Sequence, residues 1–327
     1  MARARGVRRT GAGQYPLIHE KPISRRIGGS VISPHRVLVT GAAGRIGRAV
    51  SRLLVNDGVE VVALSLDFPE PLPGVGRQVA ADAADPDAVA DAVAGCDAVV
   101  HLAAIIHRDH AAPLEVYRTN VSSTFNVLSQ AGMAGVRRAV IASSINAYGV
   151  PLHHLELRPD YFPLDEDLPV HIDDWYSLSK ISDELTLGMA CSHWDMSGVA
   201  LRFPWVNSAE TIRRESAVQT EAPVHGLTVG WAYLETHDAA RAVRCALRAE
   251  LAGSNVVGVA AEDTLLPYPT AELLAAFAPD VPLRRAVPGR GALVDTSRSR
   301  ELLGFRPEFA LELPERSLVV EDGRLPA

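Results

Sequence analysis

Cysteine is scarce in this chain. There are three among 327 residues, Cys96, Cys191 and Cys245. They form no CxxC pair and no metal-ligand spacing, and three thiols cannot complete a disulfide framework. Reduced, mostly buried thiols are the expected state. Long apolar runs are missing too. Stretches such as residues 99–106 fall far short of the roughly 20 apolar residues that span a bilayer. A strong positive charge is also absent. The formal net charge is -7 with pI near 5.9, which argues against nucleic acid as the main partner. Aromatic residues make up 6%, a compositional bias with no functional content. The expectation is a soluble, cytoplasmic protein with no membrane partner.

Acidic residues are nearly absent from positions 1–35. Glu20 stands against Arg3, Arg5, Arg8, Arg9, Lys21, Arg25 and Arg26. No apolar core of a secretory signal is present. An Arg-rich, acid-poor start is compatible with an organelle transit peptide. A disordered tail or extension is the preferred reading, because the segment has no periodic apolar face.

What is present is a 47% hydrophobic chain, enough for one large domain or a large domain with a smaller lobe. From residue 36, short apolar runs alternate with helical stretches. Strands are expected at residues 36–40, 60–66, 97–101, 138–143 and 198–203, with helices at 46–57 and near 85–94, 113–133 and 176–192. This alternation implies an α/β fold with a doubly wound parallel sheet of the Rossmann kind, which binds ligands at the carboxyl ends of its strands. Residues 204–236 read as irregular. A helix near 237–251 and a strand near 255–260 are expected to return to the sheet. The domain expectation is therefore a dinucleotide-binding unit over 36–203 plus about 237–260, and a substrate lobe from about 204–236 and 261–327.

Gly41-Ala42-Ala43-Gly44-Arg45-Ile46-Gly47 follows the first strand and opens a helix. Glycines there let the backbone turn sharply and approach a pyrophosphate, and the unpaired N–H groups of the helix N-terminus face it. Asp67 ends the second strand about twenty residues further on, where a carboxylate bonds the ribose hydroxyls of NAD and repels the 2′-phosphate of NADP. Arg45 and Arg48 keep NADP open as the less favoured cofactor.

Tyr176-Ser177-Leu178-Ser179-Lys180 places a phenol and an ammonium one turn apart on a helix face. Tyrosine is a poor proton carrier at neutral pH, its free pKa being about 10, and a fixed ammonium favours the phenolate. Such a pair can move a proton on or off an alcohol oxygen.

With the G-x-x-G-x-x-G spacing, this pair resembles the extended short-chain dehydrogenase/reductase family, also called the NAD-dependent epimerase/dehydratase family. The resemblance covers roughly residues 36–310. It implies that Asp82 bonds the adenine amino group. It implies that Leu102, Ala103 and Ala104, in the segment His101-Leu102-Ala103-Ala104, line the cofactor together with Gly41, Ala43, Gly44, Arg45, Ile46 and Gly47. Pro204 is implied at the same surface. Ser144 falls at the catalytic Ser/Thr position in Ser143–Gly149, and Asn120 matches a helix asparagine that positions the lysine or a water. Tyr176 is then the base, Lys180 holds the nicotinamide ribose, and Ser144 fixes the reacting oxygen. The family commonly pairs through two helices, here the 113–133 and 176–192 segments, which implies a homodimer.

Two segments depart from the family's sugar-nucleotide branches. Ile145-Asn146 replaces the Asp-Glu that follows Ser/Thr in the 4,6-dehydratases. Phe203-Pro204-Trp205-Val206-Asn207 replaces the Asn-x-Tyr-Gly-Pro of nucleotide-sugar epimerases. The chain is in that respect more similar to the uronate dehydrogenase branch, with a small sugar-like substrate. His107, Asn146, Trp205 and Asn207 are candidate substrate contacts; Arg108 and His110 share the loop after strand four with His107, and Arg213 and Arg214 are available to an anionic substrate. His107-Arg108-Asp109-His110 invites a metal reading, but one strand-end loop rarely supplies a full ligand set, and no metal is expected. Three functions remain open: an NAD-dependent dehydrogenase, an epimerase that oxidises transiently, and a non-catalytic NAD sensor on the same fold.

Overall fold

The computed structural model describes residues 34–155 and 157–318. The expectation for residues 1–35 therefore falls almost wholly outside the described residues. Seven strands form one sheet in the order β3-β2-β1-β4-β5-β6-β9, every pair parallel. In chain order they are β1 (Arg36–Thr40), β2 (Glu60–Ser65), β3 (Arg77–Ala80), β4 (Ala98–His101), β5 (Arg138–Ser144), β6 (Ser197–Phe203) and β9 (Ser254–Gly258). β7 (Trp205–Asn207) and β8 (Tyr233–Glu235) make a separate parallel pair.

The central strands are continuous apolar runs because both faces are covered. Val37 and Val39 of β1 point into one core, with Val50 and Leu54 of α1 (Arg45–Asn56) and Ala239 and Val243 of α6 (Thr236–Arg248). Leu38, between them, points into the other core. There it meets Val89 of α2 (Pro86–Val93), Val127 and Leu128 of α3 (Pro113–Met133) and Leu187 of α4 (Trp175–Trp194). The chain winds outward from β1 to β3 and returns to β4 on the other side of β1. That reversal opens a crevice at the carboxyl ends of β1 and β4.

Residues 204–236 are more regular than their sequence suggests. They contain β7, the helix α5 (Ala209–Glu221), a 3-10 turn at Pro223–Val229 and β8. In α5 only Ile212 and Ser216 are buried, so the helix has almost no apolar stripe to read. Its start was legible, since Ser208 Oγ accepts from Thr211 N at 3.3 Å in an ordinary N-cap. The remaining helices are short, α7 (Thr270–Phe277) and α8 (Ser297–Leu303). A third core joins Tyr148, Phe162 and Leu164 to Trp231, Leu273, Phe277 and Leu293. Segment 161–168, which lies between β5 and α4, thus packs with the C-terminal part of the chain.

Candidate active site

The glycine turn has the shape a pyrophosphate requires. Gly41 sits at φ +65°, and a Cβ there would lie 2.7 Å from the backbone nitrogen of Ala103. A Cβ on Gly47 would strike the Gly41 carbonyl and come within 2.7 Å of the Ala42 Cα. Gly44 is the N-cap of α1 and offers no side chain to the open N–H groups, and the first turn holds no acid. These orphan donors remain available to an anion. Ala43, Arg45 and Ile46 complete the turn. The Arg45 guanidinium donates across to the Val206 carbonyl at 2.7 Å.

Asp67 and Asp82 are exposed just past β2 and β3. Arg48 is held by Glu70, to its carbonyl at 3.0 Å and its carboxylate at 3.5 Å. Leu102, Ala103 and Ala104 follow β4 directly and back the glycine turn. Pro204 is buried between β6 and β7.

The start of α4 is fixed just before Tyr176. Asp174 caps it, accepting from Tyr176 N and Ser177 N at 2.9 Å each. Tyr176 and Lys180 are both buried on its inner face. Lys180 Nζ lies 5.9 Å from the Tyr176 ring centroid. It donates at 3.1 Å to the Ala142 carbonyl of β5 and at 3.1 Å to Asp183 Oδ2. Burial pulls the ammonium down, but Asp183 and Tyr176 outweigh it and hold Lys180 above its ordinary value. Burial pushes the Asp183 carboxyl up, in opposition to that pairing. The ion pair is the state the geometry favours, because Lys180 and Thr124 both stabilise the carboxylate.

Ser144 ends β5. Its Oγ accepts from Asn146 N at 3.1 Å, which leaves its proton free for a substrate oxygen. Asn120 is fully engaged with the loop after β4. Its Oδ1 accepts from Ile105 N at 2.7 Å, and its Nδ2 donates to Ile105 O and Ser179 Oγ at 3.0 Å each. It therefore clamps that loop to α4 beside Lys180.

A cavity of about 320 Å³ lies on the C-terminal side, lined by Trp205, Glu215, Gln219, Val229, Trp231 and Leu265 among others. Of the four candidate substrate contacts, Trp205 lines it. His107 Nδ1 accepts from Asp109 N at 3.3 Å, Asn146 lies in the 3-10 turn at Ile145–Tyr148, and Asn207 Oδ1 accepts from Ser208 N at 3.1 Å. Arg108 reaches the Leu152 carbonyl, and its own carbonyl accepts from the Trp175 indole at 2.9 Å. Arg213 lies over the Phe309 ring at 5.5 Å, and Arg214 is exposed. The His107 and His110 rings are 5.5 Å apart.

The model of the NAD dependent epimerase/dehydratase family matches residues 37–258. The chain belongs to the NAD-dependent epimerase/dehydratase family. It is accordingly an NAD-dependent enzyme of the extended short-chain dehydrogenase/reductase type. It is 30% identical over 224 residues to an L-arabinose 1-dehydrogenase (NAD(P)(+)) of Haloferax volcanii, across 67% of this chain and 85% of that protein. It is 31% identical over 167 residues to a UDP-glucose 4-epimerase of Streptomyces lividans, across 48% of each. A solved short-chain dehydrogenase/reductase superfamily protein of Agrobacterium tumefaciens with bound NAD superposes with TM-score 0.64 at 26% identity, covering 84% of this chain and 93% of that one.

This NAD-dependent fold rests on groups that the sequence did not single out. Glu184 is one turn beyond Lys180 and forms a buried bidentate ion pair with Arg202, whose Nε and Nη2 donate at 2.8 Å to its two oxygens. It also accepts from Ser143 Oγ at 2.5 Å, which fixes the strand residue next to Ser144. Its spacing from Lys180 was the available signal. Glu215 and Gln219 of the cavity are bonded at 3.0 Å, an i,i+4 pair that reads as a solvated helix face in the sequence. His153, His154 and Asp173 also converge, with both imidazoles against one Asp173 oxygen. The His154 ring and backbone N–H both bond Asp173 Oδ2, while His153 Nδ1 accepts from Leu155 N at 3.1 Å, so local hydrogen bonding accounts for that arrangement. The three cysteines are free; Cys96 and Cys191 are buried, and burial pushes their thiols up to about 11 and about 12.

Proposed function

We propose that the protein is an NAD-dependent oxidoreductase that transfers hydride between nicotinamide and a secondary alcohol or ketone of a small, sugar-like substrate. The observation that carries this reading is the placement of Tyr176 and Lys180 on the buried face of α4. Lys180 bonds to the Ala142 carbonyl in the same strand that ends in Ser144. NAD, when bound, supplies the hydride acceptor. Tyr176 takes the hydroxyl proton, and the Lys180 ammonium steadies the negative charge that develops on the phenolic oxygen. Ser144 donates to the reacting oxygen and fixes its orientation. Asp67, just past the end of β2, favours NAD over NADP.

The substrate side supports a free sugar ring more than a nucleotide sugar. Trp205, which lines the cavity, lies two residues past Phe203, and Phe203 pairs in register with Ser144; this supports reading the cavity as part of the substrate side. At about 320 Å³ it is near the lower limit of ligand clefts, roughly 300–1,000 Å³. Trp205 offers a flat apolar face, while Glu215 and Gln219 offer hydroxyl partners and disfavour a phosphate. The matching arabinose dehydrogenase is consistent with this class. The matching epimerase supports a second reading, transient oxidation with NAD regenerated in the same turnover. We assign the lobe to residues 161–168, about 204–236 and the segment beyond 261. Among the described residues no helix is long and apolar enough to cross a membrane.

Incubation of enzyme and NAD with a panel of aldoses, uronates and UDP-sugars separates the two. Net NADH is expected with a free sugar. Substrate conversion without NADH indicates the epimerase, and neither result on any panel member removes both readings. Tyr176→Phe should bind NAD as the parent does and lose turnover by about 10²–10⁴-fold. Undiminished turnover would rule out Tyr176 as the base.

A further inference from the structure

A single file of buried polar side chains runs beneath the sheet from the cofactor turn to the catalytic lysine. It begins at the backbone N–H of Ala103, which donates to Thr40 Oγ1 at 3.5 Å. Thr40 is the last residue of β1, immediately before Gly41. Its hydroxyl lies 2.8 Å from His101 Nδ1, and His101 Nε2 lies 3.1 Å from Thr124 Oγ1 on α3. The Thr124 hydroxyl stabilises the carboxylate of Asp183 on α4, and Asp183 Oδ2 accepts from Lys180 at 3.1 Å. Thr40 and Thr124 are at most 1% exposed, Asp183 1%, and His101 and Lys180 4% each.

The imidazole is neutral, because burial and the nearby Lys180 charge push it down to about 3. It is held between the Thr40 and Thr124 hydroxyls. Asp183 Oδ1 is buried with no hydrogen-bond partner, so the carboxylate's one well-formed side-chain hydrogen bond is the 3.1 Å contact of Oδ2 with Lys180.

We propose that Asp183 is the positioning residue for Lys180, holding the buried ammonium through the 3.1 Å contact with Oδ2. The inference rests on the reading of Lys180 as the cofactor-holding, proton-supporting lysine. Asp183 lies behind Lys180, away from Tyr176, and tethers the ammonium through its second N–H while the Ala142 carbonyl takes another. Three groups of α4 face Lys180 with charge or a titrating proton, namely Tyr176, Asp183 and Glu184. His101 faces it from β4. β5 contributes the Ala142 carbonyl and α3 the uncharged Thr124. Without Asp183, burial acts on the ammonium with one strong opponent fewer, so the lysine loses its proton at lower pH.

Two measurements on the full chain test this. The side-chain carbon resonance of Lys180, identified by its loss in Lys180→Met, reports its titration directly. In Asp183→Asn that titration should move down by about one to three pH units, and Asp183→Glu should move it back toward the parent. The alkaline fall in NAD affinity should follow the same order. A folded Asp183→Asn variant with an unmoved lysine titration overturns the proposal, as does Asp183→Glu behaving like Asp183→Asn. Should Asp183→Asn fail to fold, Asp183→Ser removes the same charge with a smaller side chain. It should shift the lysine in the same direction, and no shift overturns the proposal. Full turnover in Lys180→Met would remove the catalytic reading of the lysine. It would leave the lysine titration in the Asp183 variants to judge the tether on its own.

Discussion

At the scale of single residues, chemistry was legible where its spacing matched a local period. Tyr176 and Lys180 share a helix face by their separation alone, and the glycine turn is announced by the strand before it and the helix after it. Asp183 was not legible. An acid on a helix usually reads as part of a solvated face, and only the packing of α3 on α4 turns it inward. His101 was visible as part of a strand end, but its partners Thr40 and Thr124 are distant in sequence and meet through topology. Its neutrality has a consequence for acid stability. The folded ring is pushed down to about 3, while the unfolded ring titrates near 6.5. The unfolded chain therefore binds a proton that the folded chain refuses. The stability His101 contributes is complete above about pH 6.5 and is lost as pH falls toward 3, at up to about 1.4 kcal/mol per pH unit. Urea midpoints of the parent and of His101→Gln, followed from neutral pH down through this window, should converge as the parent falls. Parallel curves would show that the imidazole is not excluded from protonation.

At the scale of elements, the strands and the long helices were readable because burial on both faces writes continuous apolar runs, and half-buried helices write a 3.6-residue period. α5 was missed because it buries almost nothing. β3 was hard to see for a related reason. It is an edge strand whose burial alternates between half-buried and exposed, so it has no apolar run. The join between β1 and α1 is the element on which cofactor binding turns. A Cβ at Gly41 meets backbone atoms of Leu102 and Ala103 that cannot step aside, and φ +65° is disfavoured for any L side chain. Gly41→Ala should cost roughly 1–3 kcal/mol of stability and most of the NAD affinity. A thermal melt with and without NAD checks both, and a variant that keeps the parent's NAD-induced shift would contradict the account.

For the whole molecule, the fold class and the cofactor crevice were recoverable from the sequence. Residues 161–168 join the third core from a place in the chain whose sequence does not tie it to the C-terminal part. The surface of α3 and α4 bears on assembly. Leu178, Leu185 and Met189 form an exposed apolar stripe on α4, at 41%, 71% and 37% exposure, and Phe125 and Met133 are exposed on α3 at 53% and 63%. Side by side, two such helices suit the same pair of a second copy, an isologous contact about a twofold axis. Leu185→Glu should convert a dimer to a monomer in light scattering while leaving NAD binding intact. A parent protein that is already monomeric at high concentration would sink this reading of the surface.

The bond from Arg45 to the Val206 carbonyl joins the cofactor turn to the segment that carries Trp205 into the cavity. A phosphate drawing on the N-terminus of α1 competes for the same guanidinium or pulls it along. Under the proposed function, the nucleotide and a sugar would then not be independent visitors. The expected kinetic signature is a compulsory order, nucleotide first and sugar second, with product NADH competing with NAD but not with the sugar; random-order product inhibition would contradict this coupling.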